Sequence, residues 1–327
     1  MTVRDFLDEA REDYQEYGLK SVRFTAEELF HGFLSRAGYF ANYGGDFYEH
    51  DWDLLILLDA CRWDLMSDVK NEYDFIENYD TFLGQSSHSR EFLHKTFMRN
   101  RHSGSDKIPV WLEIFRDPDN IDIFKHHYEM KNEPKIGDTA YITWNMFSEM
   151  LDGDAFYDYA ALGRQEWGHD EQILSPRKLT DYTIDLMRRE DPERTIVHYM
   201  QPHAPFRNSD GTEVSGSVWD RIQRGRKDYD EAWEEYKDNL RWVLDDVELL
   251  LENVDAENVV ISSDHGNAIG EWGCYGHRPY VPLPAVKRVP WVKTSAVDKN
   301  TYEPDVDDLG DIDEEAVNKR LEALGYK

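Results

Sequence analysis

NVVISSDHGNAIGEWGCYGH, Asn258–His277, is the stretch from which the organisation of this chain is most readily inferred. It begins with the apolar run Val259–Ile261, bounded by polar residues, a pattern typical of a buried strand. Asp264 and His265 follow where the chain must turn. A carboxylate and an imidazole at the carboxyl end of a strand can both bind a divalent cation, so the pair predicts half of a metal site. His-Gly also commonly does no more than end a strand.

A second stretch, DWDLLILLDACRWD, Asp51–Asp64, repeats this arrangement. Leu54–Leu58 is a continuous apolar run, as in a central strand covered on both faces. Asp59 follows it directly. Its structural alternative is to cap a helix that begins near Ala60. Because open parallel sheets form their sites at the carboxyl ends of strands, we expect Asp59 to lie with the Asp-His pair.

The order of three motifs carries a resemblance to a known family. DACRWD follows the first strand, HYMQPHAPF begins at His198, and SSDHGNAIGEWGCYGH ends at His277. In this order they resemble the sulfatase-like branch of the alkaline phosphatase superfamily, which includes lipoteichoic-acid-synthase-like phosphotransferases. The resemblance covers roughly Asp51–Thr294. It implies an α/β sheet, a divalent metal held by Asp59, Asp264 and His265, and contacts from His203 and His277 to the transferred phosphate or sulfate.

A serine-rich turn is the candidate for the nucleophile. Tyr79–Leu83 reads as a strand, GQSSHSR follows it, and EFLHKTF has helical spacing. The resemblance implies a nucleophile at such a junction, where unpaired N–H groups favour an anion. The sulfatase pattern Cys-x-Pro-Ser-Arg points to Ser86, and a Thr-Ser-Asp-Ala-Glu-Phe pattern points to Ser87; we favour Ser86. The alternative is that these serines only cap the helix.

The type of the metal ligands predicts the cofactor, and nearby basic residues are candidates for binding the substrate. Two carboxylates, an imidazole and a hydroxyl suit Mn²⁺, Mg²⁺ or Ca²⁺, with Zn²⁺ possible, and we expect one ion per site. Arg62, Arg90 and Arg278 are candidates for binding the substrate. His203 lies between two prolines, which restrict its backbone.

The predicted fold class is α/β: a central, mostly parallel sheet sandwiched by helices, with an N-terminal helical extension. We divide the chain into a helical extension at 1–45, an α/β domain at 46–300, and an acidic linker with a C-terminal helix at 301–327. Further expected elements are a helix from Pro176 to Met187, a strand at Thr195–Met200, a helix at Asp228–Val254 and edge-strand material at Val281–Val292. Residues 100–172 could form a cap that selects substrate or helices packed on the sheet.

The N-terminal extension shows apolar residues at helical spacing. Thr25–Glu28 has the sequence of a capping box and predicts a helix start there. We expect the apolar face to pack on the sheet, with a membrane or a partner protein as the alternative.

Composition excludes several classes of protein. With a net charge of −30 over 327 residues, a nucleic-acid or anionic-membrane surface is disfavoured. Acidic residues spread along the chain predict a protein adapted to a salt-rich cytoplasm, of haloarchaeal type. The two cysteines, Cys61 and Cys274, form no disulfide framework. Because no signal peptide or membrane span is recognisable, we expect a soluble cytoplasmic protein.

The resulting hypothesis is an enzyme: a metal-dependent hydrolase or phosphotransferase acting through a serine nucleophile. Its substrate would be a small-molecule, glycan-linked or lipid-linked phosphate or sulfate ester. Two alternatives stay open. The chain could be a catalytically silent member of the fold that acts as a binding or assembly protein, or it could be a phosphomutase.

Overall fold

The computed structural model of the chain describes residues 11–100, 127–162, 175–206 and 218–306. The predicted C-terminal helix and most of the acidic linker lie outside the described residues. The division into segments 1–45, 46–300 and 301–327 stays a prediction.

The centre of the molecule is a mixed seven-stranded sheet in the order β2-β11-β8-β1-β7-β5-β6. The strands β8, β1, β7, β5 and β6 are parallel, and β11 runs antiparallel to both β8 and β2. Short antiparallel pairs, β3–β4 and β9–β10, lie outside this sheet. The strands are β1 Leu54–Leu58, β2 Asn78–Leu83, β3 Met98–Asn100, β4 Tyr128–Met130, β5 Thr139–Thr143, β6 Asp158–Ala161, β7 Arg194–Tyr199, β8 Ala256–Ser262, β9 Ala268–Ile269, β10 Tyr275–Gly276 and β11 Arg288–Ala296.

Helices cover both faces of the sheet, which confirms the predicted α/β class. Strand β1 shows why: its residues are all fully buried, with Leu54, Ile56 and Leu58 in one core and Leu55 and Leu57 in the other. Alternate side chains of a strand point to opposite faces, so a continuous apolar run needs two covered faces. The helices are α1 Ser21–Phe40, α2 Trp63–Val69, α3 Ser89–Phe97, α4 Pro134–Gly137, α5 Pro176–Glu190, α6 Val218–Gln223, α7 Tyr229–Leu251 and α8 Pro284–Lys287.

Helix starts follow the local sequence signals closely in the domain. Ser175 caps α5, whose first residue is Pro176, and Asp228 caps α7 by accepting from two backbone N–H groups. Side chains of helices α2, α5, α6 and α7 pack in the core that contains Leu54, and side chains of α3 and α4 pack in the core that contains Leu55. The sheet is therefore sandwiched as expected.

The N-terminal helix departs from the prediction. Residues 11–17 are helical, and α1 then begins at Ser21. Thr25 is inside α1, where its hydroxyl donates to the Ser21 carbonyl, so the predicted capping box does not start a helix. A favourable short motif does not override a helix that is already propagating from upstream. Leu34 packs with the chain around residues 268–286 and not with the sheet.

Two further expectations about the sheet were wrong. Pro284–Lys287 is a short helix, and β11 lies between β2 and β8, so Val281–Val292 is not an edge strand. Pro290 is tolerated there because pairing with β8 begins only at Val292. Residues 139–161 supply β5 and β6, two strands of the main sheet, which neither reading of residues 100–172 anticipated.

The described part of the chain contains no helix that is long and apolar enough to cross a membrane. Cys61 and Cys274 are both buried free thiols.

Candidate active site

Asp59, Asp264 and His265 come together at one edge of the sheet. Because β1 and β8 are parallel neighbours, the residues that follow them meet at the same edge. One ligand atom from each residue lies within 4.8 Å of the other two. All three side chains are buried. Helix α2 begins only at Trp63, so Asp59 is not its N-cap and the structural alternative for Asp59 fails.

The carboxylates have one satisfied and one unsatisfied oxygen each. Asp59 Oδ1 and Asp264 Oδ2 are buried without a hydrogen-bond partner among the described residues. Each lies 3.5 Å from His265 Nε2. Leaving a buried carboxylate oxygen unpaired is costly. A divalent cation between these atoms would remove that cost, so the donor set fits the metal that the sequence predicts.

The other two oxygens are held by donors from nearby loops. Asn145 Nδ2 donates to Asp59 Oδ2 over 2.9 Å. The backbone N–H groups of Ala60 and His265 donate to Asp264 Oδ1 over 3.1 and 2.9 Å. Ala60 has a φ of 59°, a strained left-handed conformation that turns its N–H toward this carboxylate. These hydrogen bonds fix the two carboxylates and so orient the unpaired oxygens, Asp59 Oδ1 and Asp264 Oδ2.

The pKa values of the two carboxyl groups shift in opposite directions. Burial and the nearby Asp264 charge raise the pKa of Asp59 well above its usual value. Burial alone would also raise the pKa of Asp264, but the His265 and His198 imidazoles lower it below its usual value. Asp264 is therefore the carboxyl group that carries the negative charge, and the ionised form of Asp59 is poorly stabilised.

A hydroxyl group contacts this cluster, and it belongs to Ser89. Its Oγ lies 3.2 Å from Asp59 Oδ2, to which it donates, and 3.1 Å from His265 Nε2. Ser89 is the first residue of α3, and His88 caps the helix by accepting from the Arg90 N–H. A hydroxyl at this place benefits from the positive end of the helix dipole.

The two serines singled out from the sequence contact other groups. Ser86 Oγ donates to the backbone carbonyl of Asp264 over 2.8 Å. Ser87 Oγ contacts a Glu91 carboxylate oxygen and the Arg278 carbonyl, at 2.9 and 2.8 Å. Both hydroxyls therefore support the turn, and neither of these contacts is with the side chains of the metal cluster.

His203 and His277 face each other beside the cluster. Their Nε2 atoms are 2.9 Å apart. The His277 ring stacks on His265 at a centroid distance of 4.5 Å. Burial lowers the pKa of His203 to about 4 and that of His277 well below its usual value, because neighbouring imidazoles add to the cost of a proton. These rings are neutral at pH 7 in the chain alone.

The three candidate arginines are placed differently. Arg62 is in ion pairs with Asp64 and Glu271, at 2.6 and 2.7 Å. Arg278 pairs with Glu28 of α1. Arg90 is buried, with its guanidinium carbon 5.3 Å from the centre of the Phe147 ring. Arg62 and Arg278 are thus already engaged by carboxylates of the chain.

Sequence reasoning missed several groups that shape the site. Besides Ser89, these are Asn145 and the pair formed by Tyr141 and His198. Tyr141 Oη contacts His198 Nδ1 at 3.0 Å, and His198 Nε2 lies 3.7 Å from Asp264 Oδ2. A histidine in the middle of an apolar strand was the available signal for His198. Asn145 follows β5, a strand that was not predicted.

Comparison with known proteins gives distant matches. No protein-family model matches the sequence, and no curated protein matches it significantly. Among solved structures, the soluble domain of lipooligosaccharide phosphoethanolamine transferase A from Neisseria meningitidis is 15% identical, with 73% of this chain and 75% of that one covered and a TM-score of 0.41. A 2-O GAG sulfatase is 10% identical, with 77% and 64% covered and a TM-score of 0.42. A protein in the alkaline phosphatase superfamily from Vibrio parahaemolyticus is 13% identical, with 78% and 62% covered and a TM-score of 0.39.

At these TM-scores the similarity carries no argument about activity, and the fold assignment rests on the sheet of this chain. One of these solved structures is described as a protein in the alkaline phosphatase superfamily, the group that the Asp, Ser and Asp-His motifs of this chain resemble.

Proposed function

We propose that the chain is a metal-dependent hydrolase or phosphotransferase of phosphate esters, with Ser89 as its nucleophile. One observation supports this most directly: Ser89 Oγ contacts both Asp59 and His265 in a buried cluster that has two unpaired carboxylate oxygens. A hydroxyl in this position is both oriented and close to the predicted cation site. Sulfate esters are the second substrate class.

Asp59, Asp264 and His265 would hold the divalent cation. When bound, the cation supplies Lewis-acid stabilisation of negative charge on oxygen. Mn²⁺, Mg²⁺, Ca²⁺ and Zn²⁺ all suit this donor set, and one ion per site accounts for the two unpaired oxygens.

The residues of the chain divide the reaction into two displacements. Ser89 Oγ attacks phosphorus, its proton passes to Asp59 Oδ2, which already accepts from it, and the bond from phosphorus to the ester oxygen breaks. The departing alkoxide takes a proton from His203 or His277. In the second displacement, water or an acceptor hydroxyl attacks phosphorus and gives its proton to that imidazole. The bond from phosphorus to Ser89 Oγ breaks, and Ser89 Oγ recovers the proton held by Asp59.

His203 and His277 would bind the transferred group. Their pKa values are lowered in the chain alone, but an anionic phosphate beside them raises the pKa of an imidazole. They can then donate hydrogen bonds to the phosphoryl oxygens and a proton to the leaving oxygen.

The choice of phosphate over sulfate is supported by the residues in the turn. Sulfatases of the resembling group need formylglycine, and their Cys-x-Pro-Ser-Arg pattern begins with cysteine. The turn Gly84–Arg90 contains serines and no cysteine. A serine that forms a covalent phosphoserine is the simpler chemistry for this turn. The cytoplasmic location and the adaptation to salt stay predictions.

The test compares three matched variants, Ser89→Ala, Ser86→Ala and Ser87→Ala. Turnover of an aryl phosphate and of an aryl sulfate is measured with each candidate cation, and cation binding is measured by calorimetry. We expect Ser89→Ala to abolish turnover and leave cation binding within about tenfold, since the three ligands remain. Acid quench of the native chain with substrate should trap phosphoserine at Ser89.

The two other variants keep the test decisive. Ser86→Ala and Ser87→Ala lose hydrogen bonds within the turn, so we expect losses of about tenfold. If either one abolishes turnover while Ser89→Ala remains active, the nucleophile is the serine first inferred from the sequence. If all three variants turn over substrate at the native rate, covalent catalysis is wrong.

A further inference from the structure

Glu91 is a buried carboxylate that the proposed reaction does not use. It is the third residue of α3, and 1% of its surface is exposed. Its Oε2 accepts from the backbone N–H groups of Ser87 and Tyr280, over 2.9 and 2.8 Å. Ser87 Oγ lies 2.9 Å from the same oxygen, and Lys95 Nζ donates to Oε1. Both oxygens of this side chain are thus engaged, and their donors come from different parts of the chain.

Ser87 extends the same network toward His277. Its Oγ accepts from the Val281 N–H over 2.9 Å and lies 2.8 Å from the Arg278 carbonyl oxygen. Arg278 directly follows His277, and Ser87 belongs to the turn that carries the proposed nucleophile. The network, which we call the Ser87–Glu91 clamp, therefore joins that turn to the segment that follows His277.

Capping of α3 is the simpler role for Glu91, and it accounts for only part of the clamp. A glutamate at the third position of a helix commonly reaches back to the N–H of the N-cap residue. The N-cap here is His88, whose Nδ1 accepts from the Arg90 N–H, and Glu91 reaches one residue further back. A cap also requires no contact with Tyr280, which is far away in the sequence. The clamp therefore does more than begin a helix.

The backbone of Tyr280 is strained at the point where the clamp contacts it. Its φ is 64°, in the left-handed region that a bulky residue rarely adopts. Such a conformation costs free energy, persists only where surrounding contacts impose it, and is most common at active sites. The N–H of this residue donates to Glu91, so the carboxylate is one of the contacts that hold the segment after His277 in place.

The charge of Glu91 is balanced within the clamp. Burial would raise the pKa of Glu91, but the Lys95 ammonium and two backbone N–H groups lower it below its usual value. The Lys95 side chain is only 15% exposed, and its Nζ also donates to the Gln85 carbonyl over 2.9 Å. Because desolvation offsets much of the attraction in a buried ion pair, stability alone is a poor explanation for placing one beside this turn.

Ser89 and His277 both contact His265. Ser89 Oγ is 3.1 Å from His265 Nε2, and the His277 ring stacks on the His265 ring at a centroid distance of 4.5 Å. Stacked rings tolerate an offset, so this contact by itself leaves the position of His277 loosely defined. The clamp supplies a second attachment, through the residues that follow His277.

We propose that Glu91 is a positioning residue, which holds Ser89 Oγ and the His277 imidazole at the separation that phosphoryl transfer requires. This role rests on the proposed function. Ser89 attacks phosphorus and an imidazole gives a proton to the departing oxygen, so the two groups act at opposite ends of the reacting bonds. A misplacement of about 1 Å can cost about 100-fold in rate. Since the transition state depends on this alignment more than the bound substrate does, loss of the clamp should lower kcat more than it changes KM.

The test compares phenyl phosphate with para-nitrophenyl phosphate, as kcat/KM with the cation that supports turnover. Phenoxide is the poorer leaving group and depends more on a proton from an imidazole. Partial unfolding lowers both values equally, so the ratio of the two reports the alignment of the site and not the amount of folded protein. Calorimetry measures cation affinity, and thermal unfolding sets an assay temperature at which every variant is folded.

Two matched double variants isolate the acceptor oxygen of Glu91. Both carry Lys95→Met, which avoids a buried ammonium without a partner. Glu91→Met then offers no acceptor to the N–H groups of Ser87 and Tyr280, whereas Glu91→Gln keeps one oxygen for them. The control is Asp185→Asn, which breaks an ion pair with Arg189 on α5, a helix on the opposite face of the sheet.

We expect the variant with Glu91→Met to lose about 10–100-fold in kcat, with KM changed less than about threefold. Its ratio of para-nitrophenyl to phenyl turnover should rise about tenfold, because the proton reaches the poorer leaving group less well. The variant with Glu91→Gln should stay within about threefold of the native chain in both quantities. Cation affinity should change less than about threefold in either, since other contacts hold the candidate ligands. Asp185→Asn should match the native chain throughout.

Four results would overturn the proposal. The first is an unchanged ratio in the variant with Glu91→Met, which would leave the clamp a purely structural role. The second is an equal loss of kcat in the two double variants, which would assign the effect to the ion pair. If the variant with Glu91→Met does not fold, Ser87→Ala takes its place, and a ratio that does not rise by about threefold in it is the third. The fourth is a native chain that turns over neither ester; this alone would also overturn the proposed function.

Discussion

Replacing Asp59 by Asn should stabilise the protein without metal and abolish its stabilisation by metal. In the metal-free chain, Asp59 and Asp264 are buried together, and each has an oxygen without a partner among the described residues. Either the two charges repel, or Asp59 takes up a proton, as its raised pKa indicates. Both outcomes cost free energy. The Asn variant removes the charge and retains an oxygen that can accept from Ser89.

The size of the effect follows from the separation of the groups. Ligand atoms of the cluster lie within 4.8 Å of one another. At an effective dielectric of about 20, two charges at this distance repel by about 3 kcal/mol. The new amide recovers most but not all of that, so we expect a gain of about 2 kcal/mol. For a chain of 327 residues the melting temperature should rise by about 3 °C.

Thermal unfolding is measured with a chelator and then with each candidate cation in excess. At a concentration of 100 times its dissociation constant, a cation stabilises the native chain by about 2.7 kcal/mol. Asp59→Asn should lose most of this increment, because a neutral amide is a much weaker ligand. The control is Asp80→Asn, which replaces an exposed carboxylate at the sheet edge. It should change neither the metal-free melting temperature nor the stabilisation by the cation. A metal-free Asp59→Asn that melts below the native chain, or a native chain that no divalent cation stabilises, would refute the reasoning.

Three other predictions concern the support of the site, pH and salt. Asn145→Ala removes the 2.9 Å hydrogen bond to Asp59, so calorimetry should show cation affinity about 10–100-fold weaker; unchanged affinity would mean that Asn145 does not orient the ligand. Burial lowers the pKa of His31 from 6.5 to about 3. The contribution of neutral His31 to the free energy of unfolding is therefore complete above pH 6.5 and falls as the pH drops toward 3. Urea unfolding should therefore show a lower free energy of unfolding at pH 5 than at pH 7, and His31→Gln should make this difference smaller by about 2 kcal/mol. The same difference in the native chain and the variant would contradict this. With a net charge of −30, the melting temperature should rise from low to molar salt, and a flat response would remove the argument for salt adaptation.

The sequence by itself determined the strands that carry the candidate ligands. Leu54–Leu58 was predicted with its observed bounds, and β8 includes the predicted Val259–Ile261. These are continuous apolar runs, whose strand character follows from local pattern and whose parallel pairing brings Asp59 and Asp264 to one edge. Polar residues placed directly after such runs are visible without knowledge of any distant contact. The caps of α5 and α7 are local in the same sense.

Only the tertiary structure decided which hydroxyl contacts the cluster. Ser86, Ser87 and Ser89 lie within four residues, and their chemistry is identical. The turn into α3 aims them at different groups, and Ser89 alone among them has Asp59 and His265 as its hydrogen-bond partners among the described residues. Motif alignment cannot settle this, because a shift of one residue changes the direction of a side chain at a helix start.

Long-range packing also decided the environment of the site and the orientation of α1. Asn145 and His198 reach the carboxylates only because β5 and β7 pair beside β1. The apolar spacing of α1 predicted an amphipathic helix with its apolar face packed on the sheet, and this was wrong, because Leu29 and Phe33 are exposed. Close approach of Gly38 to Tyr280 requires a residue without a side chain on the inner face. Gly38 is buried, whereas Phe30, Phe33 and Phe40 are exposed, and no local pattern in the sequence shows this.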